Sequence, residues 1–232
     1  MTSPKEAEMT KRTVIVMGAT GGLGRAVTER FRDDGAPVLA FDARIPAAEH
    51  RQDGVEYVAV DALDETSVAA AFAEVSHAAA VVNLIGGYAP PQGLAMLDIG
   101  VLRQQFELNL VTAAIVTKYA MPMLAARGGG AIVHVSSRVA LQKWEAAFSY
   151  SVSKLGVVRL VEAAAVEGRD DGVRVNCILP SIIDTPANRA ALPNAMHHTW
   201  PKPSELAAVL AFLVSDDAAL ISGAAIPVYG RA

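Results

Sequence analysis

Tyr150 and Lys154 stand four residues apart in the run Tyr-Ser-Val-Ser-Lys, a spacing that puts a phenol and an ammonium on one face of a helix. A free phenol, with a pKa of about 10, exchanges protons poorly at neutral pH. A neighbouring cation favours the phenolate, so Lys154 is expected to lower the pKa of Tyr150 and fit it for acid–base chemistry. Tyrosine and lysine meet at this spacing often by chance, and the pair gains weight from its company. Ser137 closes a β-branched run thirteen residues upstream, where its hydroxyl can reach the same substrate oxygen as Tyr150.

A second chemistry is written near the start of the chain. Gly18-Ala-Thr-Gly21-Gly22-Leu-Gly24 joins a strand-like run to a helix-like one, so glycine falls where backbone must turn tightly and approach a phosphate closely. Unpaired amides at such a helix start attract an anion. The next strand ends in Asp42, eighteen residues after Gly24, where a carboxylate accepts hydrogen bonds from ribose hydroxyls and repels a 2′-phosphate. That predicts NAD over NADP, although Arg44, two residues on, offers a phosphate partner and keeps NADP possible. Asp61 ends a third strand, placed either to touch an adenine or to cap the helix that follows. Asn83-Leu-Ile-Gly-Gly87 ends a fourth, where glycines let a flat ligand lie against the backbone.

These residues need a scaffold that brings strand ends together, and the pattern supplies one. Apolar, β-branched runs at 13–17, 38–42, 55–60, 80–84, 131–136, 173–179 and 225–228 alternate with helical candidates at 23–33, 65–76, 97–126, 148–168 and 204–214. Alternation of this kind predicts a three-layer, doubly wound α/β Rossmann fold with a seven-stranded parallel sheet. Residues 12–232 read as a single domain preceded by a flexible tail, 1–11. Residues 181–203, with Pro186, Pro193, Pro201 and Pro203, read as a substrate lid loop without regular structure.

Composition narrows the function classes. With 52% hydrophobic residues, 19% charged and a mean hydropathy of +0.31, the chain has ample apolar surface for one core. A net charge of −4 argues against a nucleic-acid partner, which needs a basic field. The polar start, with Lys5, Glu6 and Glu8, does not read as a signal peptide. The longest uncharged stretch, 78–97, carries Asn83, Gly86, Gly87, Pro90, Pro91 and Gln92 and cannot span a membrane as a helix. Cys177 is the single cysteine, so no disulfide forms within the chain and no cysteine-based zinc site can be assembled, which fits a cytoplasmic protein. His134, His197 and His198 lack a cluster of carboxylates at ligand spacing; no metal is expected, and surface or substrate-contact roles are assigned to them. Met96, Met121 and Met123 read as packing, whereas Tyr88, Trp144 and Trp200 fall in loops near the expected crevice.

Taken together and in this order, Gly18, Gly22, Gly24, Asp42, Asp61, the Asn83–Gly86 turn, Asn109 in Glu-Leu-Asn, Ser137, Tyr150, Lys154 and the Asn176–Pro180 run resemble the short-chain dehydrogenase/reductase family across nearly the whole chain. The resemblance implies an NAD(P)-dependent oxidoreductase of the ketoreductase or alcohol dehydrogenase type, acting on a small carbonyl or alcohol. It implies that Tyr150 is the general acid/base, that Ser137 polarises the carbonyl, that Lys154 holds the nicotinamide ribose and tunes Tyr150, and that Asn109 maintains a proton relay through water. Cofactor contacts are implied at Gly18, Thr20, Gly21, Gly22, Leu23, Gly24, Asp42, Arg44, Asp61, Ala62, Asn83, Gly86, Tyr150, Lys154, Pro180, Ile183 and Thr185. A homotetramer or homodimer is implied as well, built on the helices containing Asn109 and Tyr150. Leu84 stands where the family commonly has a second asparagine, and Ser181 where it has a glycine. Gly86-Gly87-Tyr88 and Asp184-Thr-Pro-Ala-Asn188-Arg189 are similar to the dihydropteridine reductase branch, an alternative reading alongside a non-catalytic dinucleotide-binding regulator.

Overall fold

An apolar run four or five residues long hides its side chains only if both faces of the sheet are covered, and that is how the strands lie. The computed structural model describes residues 12–76, 78–143 and 145–232; the expected tail 1–11 and the candidate Trp144 lie outside the described residues. Among the described residues, seven strands form one parallel sheet in the order β3-β2-β1-β4-β5-β6-β7. They are β1 (Val14–Met17), β2 (Val38–Asp42), β3 (Val55–Ala59), β4 (Ala80–Asn83), β5 (Gly130–Val135), β6 (Val173–Pro180) and β7 (Ala225–Val228). The order reverses between β1 and β4, so a crevice opens there at the carboxyl ends of the strands, the usual ligand position in such sheets.

Period-two alternation splits the core into two layers. Along β1, Val14 and Val16 face one layer with Val27 and Phe31 of α1 (Gly22–Asp33) and Leu206 and Leu210 of α7 (Pro203–Val214). Ile15 and Met17 face the other, with Val68 and Phe72 of α2 (Glu65–Ala73) and the helices that carry the candidate catalytic residues. Each fully buried Val, Leu or Phe stabilises the fold by roughly 1.5–3 kcal/mol, which clamps helix starts to strand ends.

On that side lies a continuous helical stretch, Ile99–Ala125, divided into α3 (Ile99–Phe106), a π-helical turn (Glu107–Val111) and α4 (Thr112–Ala125), where the pattern suggested one uninterrupted helix. It is long and apolar enough to cross a membrane, yet its face of Val116, Ala120 and Leu124 lies in the core against the sheet. Beside it runs α5 (Phe148–Glu167). The two approach closely at Gly156, where a Cβ would come within 2.7 Å of Leu110.

Three sequence expectations need correction. Residues 181–203 are not free of regular structure: α6 (Pro186–Ala191) and a 3-10 turn (His197–Thr199) lie within them. The prolines that read as breakers include Pro186 at the first turn of α6, where a missing N–H costs nothing, and Thr185 caps that helix by accepting from Asn188. Asp61 does not cap α2; Asp64 does, accepting from the Thr66 amide at 2.9 Å. Met96 does not pack but is 81% exposed, in a 3-10 turn (Leu94–Met96) between β4 and α3.

Candidate active site

Strand β5 ends one residue before Ser136-Ser137, and its neighbour α5 starts with the turn that carries Tyr150. The Ser136 hydroxyl donates to the Lys154 carbonyl at 2.8 Å, fixing that helix against the strand end. Ser137, nearly buried, hydrogen-bonds the Tyr150 phenol. Lys154 is 4% exposed; its ammonium donates to the Val135 carbonyl at 2.9 Å and lies 5.9 Å from the centre of the Tyr150 ring. The structure thus brings the three groups together, but the expected electrostatics differ. Burial raises the Tyr150 pKa above the ordinary phenol value, the Ser137 hydrogen bond opposes the rise, and Lys154 does not lower it. Burial instead acts on Lys154 itself, whose pKa falls to about 8.

Asn109 enters because the π-helical turn inserts a residue into the helix, a device common at functional sites. Its side chain is buried and grips the turn after β4 from both sides: Oδ1 accepts from the Gly87 amide at 2.9 Å and Nδ2 donates to the Gly87 carbonyl at 3.0 Å. Gln105, four residues earlier, accepts from the same amide, as does Ser153. Gly86 is indispensable here. It has a φ of +157°, and a Cβ would sit 2.6 Å from Lys154 Nζ and 2.7 Å from Asn109 Oδ1. Gln105 escaped the sequence reading; its i,i+4 relation to Asn109 was the available signal.

His134 corrects an expectation outright, since it is neither at the surface nor at a substrate but fully buried in β5, paired in register with Asn83. Thr117 gives its only hydroxyl proton to the Ala113 carbonyl at 2.8 Å, so it must accept from His134 Nε2–H at 3.0 Å. Nδ1 therefore accepts from the Asn83 amide at 3.2 Å, and Asn83 Oδ1 in turn accepts from the Ile85 amide. Burial and the nearby Lys154 charge push the imidazole pKa down to about 4, keeping it neutral. Asn83, expected to touch cofactor, thus spends its side chain holding the backbone that leads to Gly86. The signal in the sequence was a lone polar residue inside a buried strand. Among the described residues no group of three His, Cys, Asp or Glu side chains is placed to hold a metal. His197 hydrogen-bonds the Leu192 carbonyl, and its ring lies 4.7 Å from that of Trp200 at a tilt of 55°; Trp200 is buried and packs within the segment.

At the β1–β4 reversal a cleft of about 360 Å³ is lined by Gly18, Thr20, Gly21, Asp42, Asp61, Ala62, Ile85 and Gly86 among others. Gly18 has a φ of +77°, and a Cβ there would press on Ile85. Helix α1 begins at Gly22 behind Gly21 with no side-chain cap, leaving its first amides free for an anion. The Asp42 carboxylate accepts from Thr20 N and Oγ1 at 3.0 and 2.8 Å, tying β2 to the glycine turn. These residues fit a dinucleotide: a left-handed glycine turn, open helix amides and a carboxylate at the next strand end. Of the other expected contacts, Gly24 packs against the turn's own backbone, Leu23 and Ile183 pack on the core, and Pro180 closes β6. Thr185 brings its methyl to 3.0 Å from where a Gly22 Cβ would be. Arg44 is exposed and outside the cleft lining. A larger cavity, about 860 Å³, opens at the amino ends of the strands among Arg12, Arg174 and Asp216, remote from Tyr150.

Comparison with known proteins points the same way. The family model described as enoyl-(acyl carrier protein) reductase matches residues 18–230. The chain is 34% identical over 242 residues to a cis-4-hydroxycyclohexanecarboxylate dehydrogenase of Sinomonas cyclohexanicum, covering 95% of this chain and 96% of that protein. It is 30% identical over 247 residues to a meso-2,3-butanediol dehydrogenase of Serratia marcescens, covering 95% and 94%. A solved structure from Mycobacterium ulcerans, a short-chain type dehydrogenase/reductase, superposes with a TM-score of 0.87 at 27% identity over 95% of this chain and 89% of that one.

Proposed function

Because the chain belongs to the short-chain dehydrogenase/reductase family, we propose that it interconverts a secondary alcohol and its ketone with a nicotinamide dinucleotide, Ser137, Tyr150, Lys154 and Asn109 doing the work. The observation that carries this reading is the convergence of the Ser137 hydroxyl and the Tyr150 phenol beside a buried ammonium, which abuts Gly86 of the glycine-lined cleft. The dinucleotide, when bound, supplies or accepts the hydride.

Everything else falls to side chains of this protein. The free amides at the start of α1 hold the pyrophosphate, and Asp42 takes the ribose hydroxyls, which favours NAD. In reduction, Tyr150 gives its proton to the developing alkoxide while Ser137 donates a second hydrogen bond to that oxygen. Tyr150 is protonated at neutral pH and has a proton to give, and its raised pKa makes that proton harder to release than an ordinary phenol's. Oxidation needs the phenol to accept a proton and accordingly gains from higher pH. Lys154 and Asn109, closing on the same side of Gly86, lead the proton away from Tyr150. Names of relatives support the substrate class, with a ring alcohol and an open-chain diol both represented. We infer, further, that the protein works in the cytoplasm as a homotetramer or homodimer through the helices 99–125 and 148–167, which light scattering on the purified protein will test.

The deciding experiment follows the absorbance of NADH and NADPH against ketones, aldehydes, 3-oxoacyl thioesters, quinones and a quinonoid dihydropterin, and of NAD and NADP against alcohols. Turnover of a secondary alcohol or its ketone, faster with NAD(H), supports the reading. Dinucleotide binding without turnover of any member overturns it.

A further inference from the structure

Tyr88 carries no proton in the chemistry above, though it adds to the rise of the Tyr150 pKa; its ring lies 5.1 Å from that of Tyr150 at 87°, edge to face, while 56% of the residue remains exposed. Loop tyrosines half open to solvent are ordinarily free to swing, and this one is pinned on both sides. On one side, Gly87 is gripped at its N–H and C=O by Asn109, and the Leu108 side chain fills the space where a Gly87 Cβ would be, 2.7 Å away. On the other, Gln92 donates to the Ala146 carbonyl at 2.7 Å and pairs with Ala147, stitching the segment after β4 to the turn ahead of α5. Ala146 is the only non-glycine among the described residues with positive φ, +56°. Left-handed backbone is disfavoured for a non-glycine residue, and such strain gathers where geometry serves a purpose.

Resting on the alcohol–ketone reading above, we propose that Tyr88 is a specificity-determining residue, the fixed wall of a corner that selects secondary alcohols and ketones whose reacting carbon belongs to a ring. Two rings held at right angles make a rigid corner, with the reacting hydroxyls of Tyr150 and Ser137 on one side and an uncovered aromatic surface on the other. A rigid ring can lay a whole face on Tyr88 while its oxygen reaches Tyr150. An open chain covers that surface less completely and gives up on binding the rotational freedom that a ring has already lost. Burying the apolar face of a saturated ring against Tyr88 is worth about two- to ten-fold in affinity.

The test compares cyclohexanol with hexan-2-ol, equal in carbon number, as substrates of the wild type, Tyr88→Leu and Tyr88→Phe, with dinucleotide affinity followed by fluorescence. The wild type is expected to favour cyclohexanol in kcat/KM. Tyr88→Leu should raise the KM for cyclohexanol about two- to ten-fold, change its kcat far less and leave hexan-2-ol nearly unaffected, whereas Tyr88→Phe should keep the preference. Equal losses on both alcohols, or an unchanged ratio in Tyr88→Leu with dinucleotide affinity intact, overturn the inference alone. A wild type that turns over other secondary alcohols or ketones but neither of these overturns this inference alone; one that binds dinucleotide and turns over no member of the wider panel overturns the alcohol–ketone reading and this inference with it.

Discussion

Around Gly18–Gly24 the cleft is made of backbone, whereas around Tyr150 it is made of side chains drawn from β4, β5, the π-helical turn and α5. The first region is local: one turn, seven residues long, is specified by glycines whose missing Cβ atoms leave room for a ligand and for Ile85. The second is a convergence of residues far apart in the chain, and it holds only while a buried polar network keeps its register. A backbone site tolerates little at a few positions, and a convergent one can be undone from a distance, through residues that touch no ligand.

The sharpest way to part the two regions is Tyr150→Phe, which should lower turnover by roughly 10²- to 10⁴-fold, the usual worth of a general acid, and leave dinucleotide affinity nearly intact by fluorescence titration. Turnover within a few-fold of wild type would show that the second region is not catalytic. Next in size is the remote network. The His134 pKa is about 4 folded against about 6.5 unfolded, so the unfolded chain binds more protons between those values and stability falls as pH drops through that window. The loss is about 3 kcal/mol, fully suffered below pH 4 and absent above 6.5. Urea midpoints of the wild type and His134→Gln, compared at both ends of the window, should differ in pH slope by most of that amount.

Gly86→Ala tests the junction between the regions. Its Cβ would displace the Lys154 ammonium and the Asn109 amide, and kcat should drop by about ten- to a hundred-fold, 1.4–2.7 kcal/mol at the usual conversion. A kcat that stays near wild type would mean that the pair can yield. Smallest is Asp42→Ala, which should move preference from NADH towards NADPH without abolishing turnover, read as the ratio of kcat/KM for the two. A wild type already favouring NADPH would assign the ribose end to Arg44 instead.

The same division explains what could be read from residue order alone. Strand positions, the sheet and the glycine turn were legible because they depend on period and on neighbours: each expected strand is present within a residue or so of its expected bounds. Ser137, Tyr150 and Lys154 were legible because one strand end and one helix turn carry them. The sign of the Tyr150 pKa shift was not, since it depends on how deeply the phenol is buried, which spacing cannot express. Nor was the partnership of His134 with Asn83 and Thr117, which depends on the register of β4 against β5 and on α4 crossing behind them. The helix Pro186–Ala191 was hidden because proline breaks helices in general but opens them at the first position.

Cys177 lies at zero exposure in β6, its thiol pKa pushed up to about 12, and no other sulfhydryl exists in the chain. A maleimide dye should therefore ignore the native protein and mark each molecule once, only while it is open. Labelling rate becomes a clock for the sheet's breathing, with no tag or engineered probe, and the slowing of that clock on adding NAD would weigh how firmly the dinucleotide locks the molecule shut.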